Sequence, residues 1–501
     1  MKNKLILTGI ITAVLSMNAV FVKAQSSKSE SIEAWVTTLD RSQLFTKQEE
    51  VIEFGNRPRG WGATTITIDD NLQMQAVDGF GFALTGGSAG LMMGMSQPER
   101  TKLINELFRT DEDNIGVSYI RLTIGASDLN SFVFSYNDLE DGEVDLKLEK
   151  FNLSQDMYDV IPVVKEILAV NPDIKILASP WSAPTWMKTN NKVKGGKLKE
   201  EYYPVYAQYF VKYINAMKEQ GITIDAITVQ NEPLNVNNTP SMQMLPNEQR
   251  IFIKDHLGPA FEQANIKTKI VLFDHNLDRI DHPLTTLSDP EAAKYADGSG
   301  FHHYGGELSA LTTMHIAHPE KNLYFTEQMV VERPGSETIE IANQVARLII
   351  GVTQNWSKNV ILWNFAADPL NDPHTEDGGC SMCQGAVTIE GDNVSRNIAY
   401  YVVAHASKFV RPGSVRIGST QKGDTMVNLT QDEEHRGENA LRVGLSITYN
   451  VFPNVAFRTP SGKTVLIVAN DSRSARSFRI KYNGQYANVN LSPGAVGTYV
   501  W

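Results

Sequence analysis

Between about residues 75 and 405 the chain alternates short apolar, β-rich runs with longer stretches of helical periodicity. Eight such runs stand out, at residues 77–82, 118–123, 174–179, 226–230, 269–273, 300–304, 323–326 and 360–364. Helix-like segments lie between them, among them 99–108, 156–170, 203–219 and 338–351. Strand and helix repeated eight times predict an α/β fold of the (β/α)₈ barrel type, whose active site lies at the C-terminal ends of the strands. The runs end in Ala126-Ser127-Asp128, Ser179-Pro180-Trp181, Gln230-Asn231-Glu232-Pro233, Asp274-His275-Asn276, His302-His303-Tyr304, Thr326-Glu327-Gln328 and Trp363-Asn364-Phe365. That is too much polar and aromatic chemistry for ordinary turns. After about residue 410 the pattern changes to short strands at 464–469, 477–482 and 497–501, separated by Asn-Asp, Asn-Gly and Pro-Gly turns, which predicts a β-sandwich. Residues 31–67 have strand character outside the barrel register, so the small domain is expected to be discontinuous. The expected division is 25–74 and 406–501 for the sandwich and 75–405 for the barrel.

The first 24 residues do not belong to that pattern. Lys2 and Lys4 precede an apolar stretch from Leu5 to Val22, and Val22-Lys23-Ala24 resembles a cleavage site before Gln25. Residues 1–24 are therefore expected to be a secretory signal, and the mature chain to be exported without a membrane span. Thr8, Gly9, Thr12, Ser16 and Asn18 interrupt the run, against a permanent anchor. Of the 501 residues, 42% are hydrophobic and 21% charged, with a net charge of −11. An acidic chain is no partner for nucleic acid or an anionic membrane surface by charge alone. The two cysteines, Cys380 and Cys383, have no second pair or His ligands at zinc spacing, so a local disulfide is expected and no metal or other cofactor.

The candidate chemistry is a pair of carboxylates. Glu232 and Glu327 are 95 residues apart, but each follows an apolar strand, the fourth and the seventh, and parallel barrel strands bring both to one rim. Glycoside hydrolysis with retention needs two carboxyl groups about 5–5.5 Å apart, one protonated and one ionised. Pro233 fixes the chain direction after Glu232, and Asn231 can hydrogen-bond a sugar 2-hydroxyl. As general acid, Glu232 is expected to stay protonated near neutral pH through repulsion from ionised Glu327 and partial burial.

Three segments narrow the assignment: Gly79 to Gly87, Tyr119 to Asp128 and Ala178 to Lys188, the last reading Ala-Ser-Pro-Trp-Ser-Ala-Pro-Thr-Trp-Met-Lys. With Asn-Glu-Pro after strand four they resemble the glucosylceramidase-like family, glycoside hydrolase family thirty, from about residue 75 to the C-terminus. Its members cleave β-glucosides, β-1,6-glucans or, in one branch, glucuronoxylan. The resemblance implies acid/base catalysis by Glu232 and nucleophilic attack by Glu327. It further implies that Asp128, Trp181, Asn231 and Trp363 hold the sugar, that Tyr304 and His302 line the site, and that Arg121 pairs with a carboxylate and lowers its pKa. Trp186 and His303 are read as structural.

Two departures bear on substrate. Thr85 is followed by Gly86-Gly87 where the lipid-cleaving branch usually has an Asp, and the segment 328–333 after the nucleophile also differs from that branch. No basic cluster for a glucuronate side group can be placed. The expected partner is a β-glucan, β-1,6-linked, or a related β-glucoside. Glucosylceramide cleavage is the alternative, and a catalytically silent carbohydrate-binding barrel a further one, opposed by the presence of both acids.

Overall fold

The computed structural model describes residues 31–56, 64–333, 335–421, 425–432, 440–447 and 451–501; the expected export signal, 1–24, lies outside them. No helix among the described residues is long and apolar enough to cross a membrane.

Eight strands close a barrel in chain order, each parallel to its neighbours: Gly79–Leu84, Tyr119–Thr123, Lys175–Ser179, Ala226–Thr228, Lys269–Asn276, Ala296–His302, Asn322–Glu327 and Ser357–Leu362. Strands buried on both faces read as continuous apolar runs, because helices cover the outside and side chains fill the inside. The alternation of strand side chains is visible in the packing. Tyr119, Leu177, Ala226, Val271, Tyr324 and Ile361 meet inside the barrel, while Ile120, Ile176, Ile227, Leu272, Phe325 and Val360 join the core beneath the helices.

Two elements differ from the sequence expectation. The sixth strand starts at Ala296 rather than near 300, because Ala296-Asp-Gly-Ser-Gly resembles a turn. Gly298 lies so close to the neighbouring strand that a Cβ would come within 1.9 Å of the Asn322 carbonyl oxygen; the glycine is a packing requirement. The helix expected over 338–351 begins at Ile341, passes through a π-helical stretch, Val345–Gly351, and ends with Val352–Gln354.

Both chain ends build the second domain. Ser31–Thr37 pairs with Val496–Val500, and the long strand Thr64–Ala76 starts alongside Arg476–Tyr482 and continues alongside Val415–Ser419. Ile66, Ile417, Leu466, Phe478 and Tyr499 share its core. The strand Thr464–Ala469 is buried on both faces: Leu466 and Val468 point into the sandwich, Val465 and Ile467 into the barrel's helical layer. His405, on the helix Ile398–Ser407, ties the domains by bonding Thr37 Oγ1 at 2.8 Å and Thr498 Oγ1 at 2.9 Å. Burial holds it neutral, with its pKa down to about 3. The barrel's last helix thus runs to Ser407, past the expected boundary at 405, and the strand that leads into the barrel runs to Ala76, past 74.

Candidate active site

One buried carboxylate organises the strand ends. Asp274, at the end of barrel strand five, accepts hydrogen bonds from Thr228 Oγ1 (2.6 Å), Thr326 Oγ1 (2.6 Å), Ser179 Oγ (3.1 Å) and Arg121 Nη2 (2.8 Å). His302 Nε2 lies 3.0 Å from its other oxygen. Strands two, three, four, six and seven are thereby tied to strand five. Phe273 and Asp274 carry φ values of 69° and 70°, left-handed backbone that is costly for such residues and that accompanies a register shift against strand six. Burial works against ionising Asp274, but Arg121, His302 and Thr228 outweigh it and hold its pKa far below the usual range. Losing one partner from such a buried ion pair typically costs about 3–5 kcal/mol.

Arg121 is wholly buried and fans out over the site. Nη1 donates to Glu327 Oε2 at 2.5 Å, Nη2 also donates to Asn231 Oδ1 at 2.8 Å, and Nε donates to Ser179 Oγ at 3.1 Å. Its guanidinium lies 4.9 Å from the Trp181 ring and 5.9 Å from that of Trp363, and the two indoles stack with centroids 5.3 Å apart. Glu327 also accepts from Tyr304 Oη at 3.1 Å. Glu232 has a φ of 44°, and it accepts from Asn235 Nδ2 at 2.6 Å, with His302 Nδ1 3.1 Å from its Oε1. One oxygen of Glu232 and one of Glu327 lie within 4.8 Å of each other.

Asp128 is buried near the Trp181 indole. Burial, with the charges of Glu327 and Glu232, pushes its pKa up to about 8.

The protonation pattern corrects one expectation. Burial opposes a charge on His302, yet Glu327, Asp274 and Glu232 together push its pKa up to about 10. Burial alone would raise Glu232, but the His302 bond and charge bring it down to about 2. The expectation of a protonated Glu232 weighed the repulsion of Glu327 and omitted His302 Nδ1, 3.1 Å from its Oε1, whose charge opposes it. Arg121 does pair with Glu327, yet burial and the charge of Glu232 leave Glu327 above its ordinary value against the pull of His302 and Arg121. Two basic groups, Arg121 and His302, thus face three carboxyl groups, Glu232, Glu327 and Asp274. Ligand atoms of Glu232, His302 and Glu327 all lie within 4.8 Å of one another.

The structure brings Asp128, Trp181, Asn231, Glu232, His302, Tyr304, Glu327, Trp363 and Arg121 to this one rim. Trp186 packs away from it, donating Nε1 to the Asn137 carbonyl at 3.1 Å, and His303 bonds to neither acid. Asp274 was not assigned a role from sequence, although Asp274-His275-Asn276 marks a strand end. Cys380 and Cys383 form a disulfide, S–S 2.04 Å. It is not remote: Cys383 packs with Trp181, Trp363 and Leu129, and its Sγ lies 3.4 Å from Met329 Sδ. A Cys380→Ser/Cys383→Ser enzyme is expected to lose at most about 2 kcal/mol of stability, since the closed loop is short. Its KM should rise more than its kcat falls; denaturant titration with steady-state kinetics checks both.

Residues 77–410 match the glycosyl hydrolase family 30 TIM-barrel domain, and 439–499 match the family's beta sandwich domain. The chain belongs to glycosyl hydrolase family 30, and it is a glycoside hydrolase. It is 34% identical over 401 residues to an endo-1,6-beta-D-glucanase of Neurospora crassa, covering 77% of this chain and 82% of the relative. It is 27% identical over 467 residues to the lysosomal acid glucosylceramidase of Mus musculus, covering 87% and 83%. The solved structure of the endo-beta1,6-glucanase BT3312 superposes with a TM-score of 0.82 at 32% identity, covering 94% of this chain and 99% of that one.

Proposed function

We propose that this family 30 hydrolase is exported and cleaves β-1,6-linked glucan with retention of configuration. The observation that carries the mechanism is that one oxygen of Glu232 and one of Glu327 lie within 4.8 Å of each other, which fits the ~5–5.5 Å carboxyl separation of retaining enzymes better than the ~6.5–9.5 Å of inverting ones. Glu327 attacks the anomeric carbon. The proton shared by His302 and Glu232 goes to the leaving oxygen. Movement across the 3.1 Å contact makes Glu232 the acid and leaves neutral His302 with Nε2–H on Asp274. After departure of the aglycone, Glu232 receives a proton from the incoming water, which opens the glycosyl–Glu327 ester. Trp181 and Trp363, stacked on each other, line the site as an apolar wall for the pyranose, and Asp128 and Asn231 offer hydrogen bonds to its hydroxyls.

The linkage rests on the 34% likeness to an endo-1,6-beta-D-glucanase and on Gly86-Gly87, which departs from the lipid-cleaving branch. Export rests on the composition of residues 1–24. The test is incubation with β-1,6-glucan, an aryl β-glucoside and glucosylceramide, with early products followed by proton NMR. The expected result is cleavage of the glucan with the β-anomer appearing first. An α-anomer first would overturn retention, and glucosylceramide cleaved in preference to glucan would overturn the substrate.

A further inference from the structure

A cavity of about 510 Å³ lies on the face of the barrel that carries the strand ends, within the ~300–1,000 Å³ range of small-molecule sites. Its walls come from the helix Gly86–Gly94 after strand one, the segment after strand two, and the segment after strand eight. Only a thin wall separates it from the catalytic site. Leu129 packs against Trp181 and Trp363 on the catalytic side, and its carbonyl accepts the Gly87 N–H at 3.0 Å on the other.

The lining has the chemistry of a sugar site. Phe132 is 54% exposed, an aromatic face available for stacking. Asp159, Asp368 and Asp372 supply carboxylates and Asn130 and Gln155 amides, with Gln155 Nε2 donating to Asp159 Oδ2 at 2.9 Å and Asp368 Oδ1 accepting from the Leu370 and Asp372 N–H groups, and no basic side chain is among the lining residues. It therefore suits a neutral polyhydroxyl ligand and disfavours phosphate or sulfate. Asn130 is 5% exposed; its Oδ1 is fixed by the Ser127 N–H at 2.9 Å and the Ser127 hydroxyl at 3.2 Å. Its Nδ2 bonds to no partner among the described residues, and it lies against Gly86, where a Cβ would come within 2.0 Å of it. Gly86-Gly87, the departure from the lipid-cleaving pattern, thus makes room for the wall of this cavity.

We propose that this groove is an accessory subsite that holds glucosyl units of the glucan chain beyond those bound at Glu232 and Glu327. Carboxylates and amides accept and donate to the hydroxyls, and Phe132 covers one sugar face. The inference rests on the β-glucan reading above.

Gly90 gives a clean test. It lines the groove on a helix, and a Cβ there meets nothing within 4 Å, so Gly90→Phe fills the space without disturbing the fold. Phe132→Ala removes the platform. Each is expected to raise KM for β-1,6-glucan about 3- to 10-fold, the worth of one aromatic contact, with kinetics on an aryl β-glucoside unchanged. Affinity electrophoresis of Glu327→Gln in gels containing β-1,6-glucan, alone and combined with Gly90→Phe, reads binding without turnover. If wild type cleaves the glucan and both groove variants keep its KM and retardation, the groove inference is overturned. If wild type fails to cleave the glucan yet is retarded in a Gly90-dependent way, the linkage reading falls and the groove stands. Loss of aryl activity in both variants would mean that the cavity supports the catalytic site itself, and would also overturn it.

Discussion

Replacing Glu327 with Ala is expected to abolish turnover on every β-glucoside, including those with very acidic leaving groups, because the proposed mechanism gives it the attack on the anomeric carbon. Glu232→Ala is expected to behave differently. It should be slow on glucan, by the roughly 10²–10⁴ typical of a lost general acid or base, yet form the glycosyl-enzyme readily from an activated aryl glucoside. Azide then enters the space of the missing carboxyl and speeds turnover, giving the β-glycosyl azide. In Glu327→Ala, azide can attack only from the opposite face and give the α-azide. The structure argues that both variants fold. Arg121 keeps Asp274 at 2.8 Å and Asn231 at 2.8 Å when Glu327 is removed, and His302 keeps Asp274 at 3.0 Å when Glu232 is removed. Neither deletion strands a buried cation without an anion. NMR of the azide products decides the assignment: a β-azide from Glu327→Ala with an α-azide from Glu232→Ala would reverse the two roles.

What made this site legible in sequence is the contrast at the strand ends. A parallel barrel strand is apolar along its length, so Asn231-Glu232 and Glu327 appear as polar residues directly after runs such as Ala226-Ile-Thr-Val and Leu323-Tyr-Phe-Thr. Residues whose role depends on backbone geometry did not show. Asp274 ends an apolar run as plainly as Glu327 does. Nothing in Phe273-Asp274 announces consecutive positive φ values, which accompany its burial beneath the catalytic pair. The sixth strand was misplaced because glycine and aspartate normally signal turns, whereas Gly298 sits where the next strand leaves no room for a side chain. In the sandwich, the edge strand Gln485–Leu491 alternates buried and exposed positions but carries Asn488 and Asn490, which mask it. The protonation of the pair escaped for a related reason: the repulsion between two glutamates can be inferred from their being paired, but the imidazolium between them needs coordinates.

That imidazolium leads to the second large effect, on pH dependence. His302 has its pKa raised to about 10 from an ordinary 6.5, so the stability from its charged form is fully present below 6.5. It is lost as pH rises through about 10. Catalysis follows the same proton. The His302–Glu232 pair carries one proton for the leaving group until pH approaches 10, which sets the basic limb of kcat/KM. The acid limb belongs to Glu327, held above its ordinary 4.5; as pH falls through its pKa the nucleophile is protonated and activity declines. A His302→Gln enzyme loses the cation that draws Glu232 down to about 2. Glu232, still facing ionised Glu327, must then hold the proton itself, and general-acid carboxyls tuned by burial and like charge titrate at about 6–7. The basic limb on glucan is expected to move to lower pH, while an aryl glucoside with an acidic leaving group shows a much smaller shift in its glycosylation step. Direct titration of Glu232 by carboxyl NMR should show its pKa rising in the variant. A merely structural role for His302 would lower kcat at every pH and leave the limb in place; a folded His302→Gln enzyme with an unmoved basic limb would therefore show that the proton for the leaving group is not held on this pair.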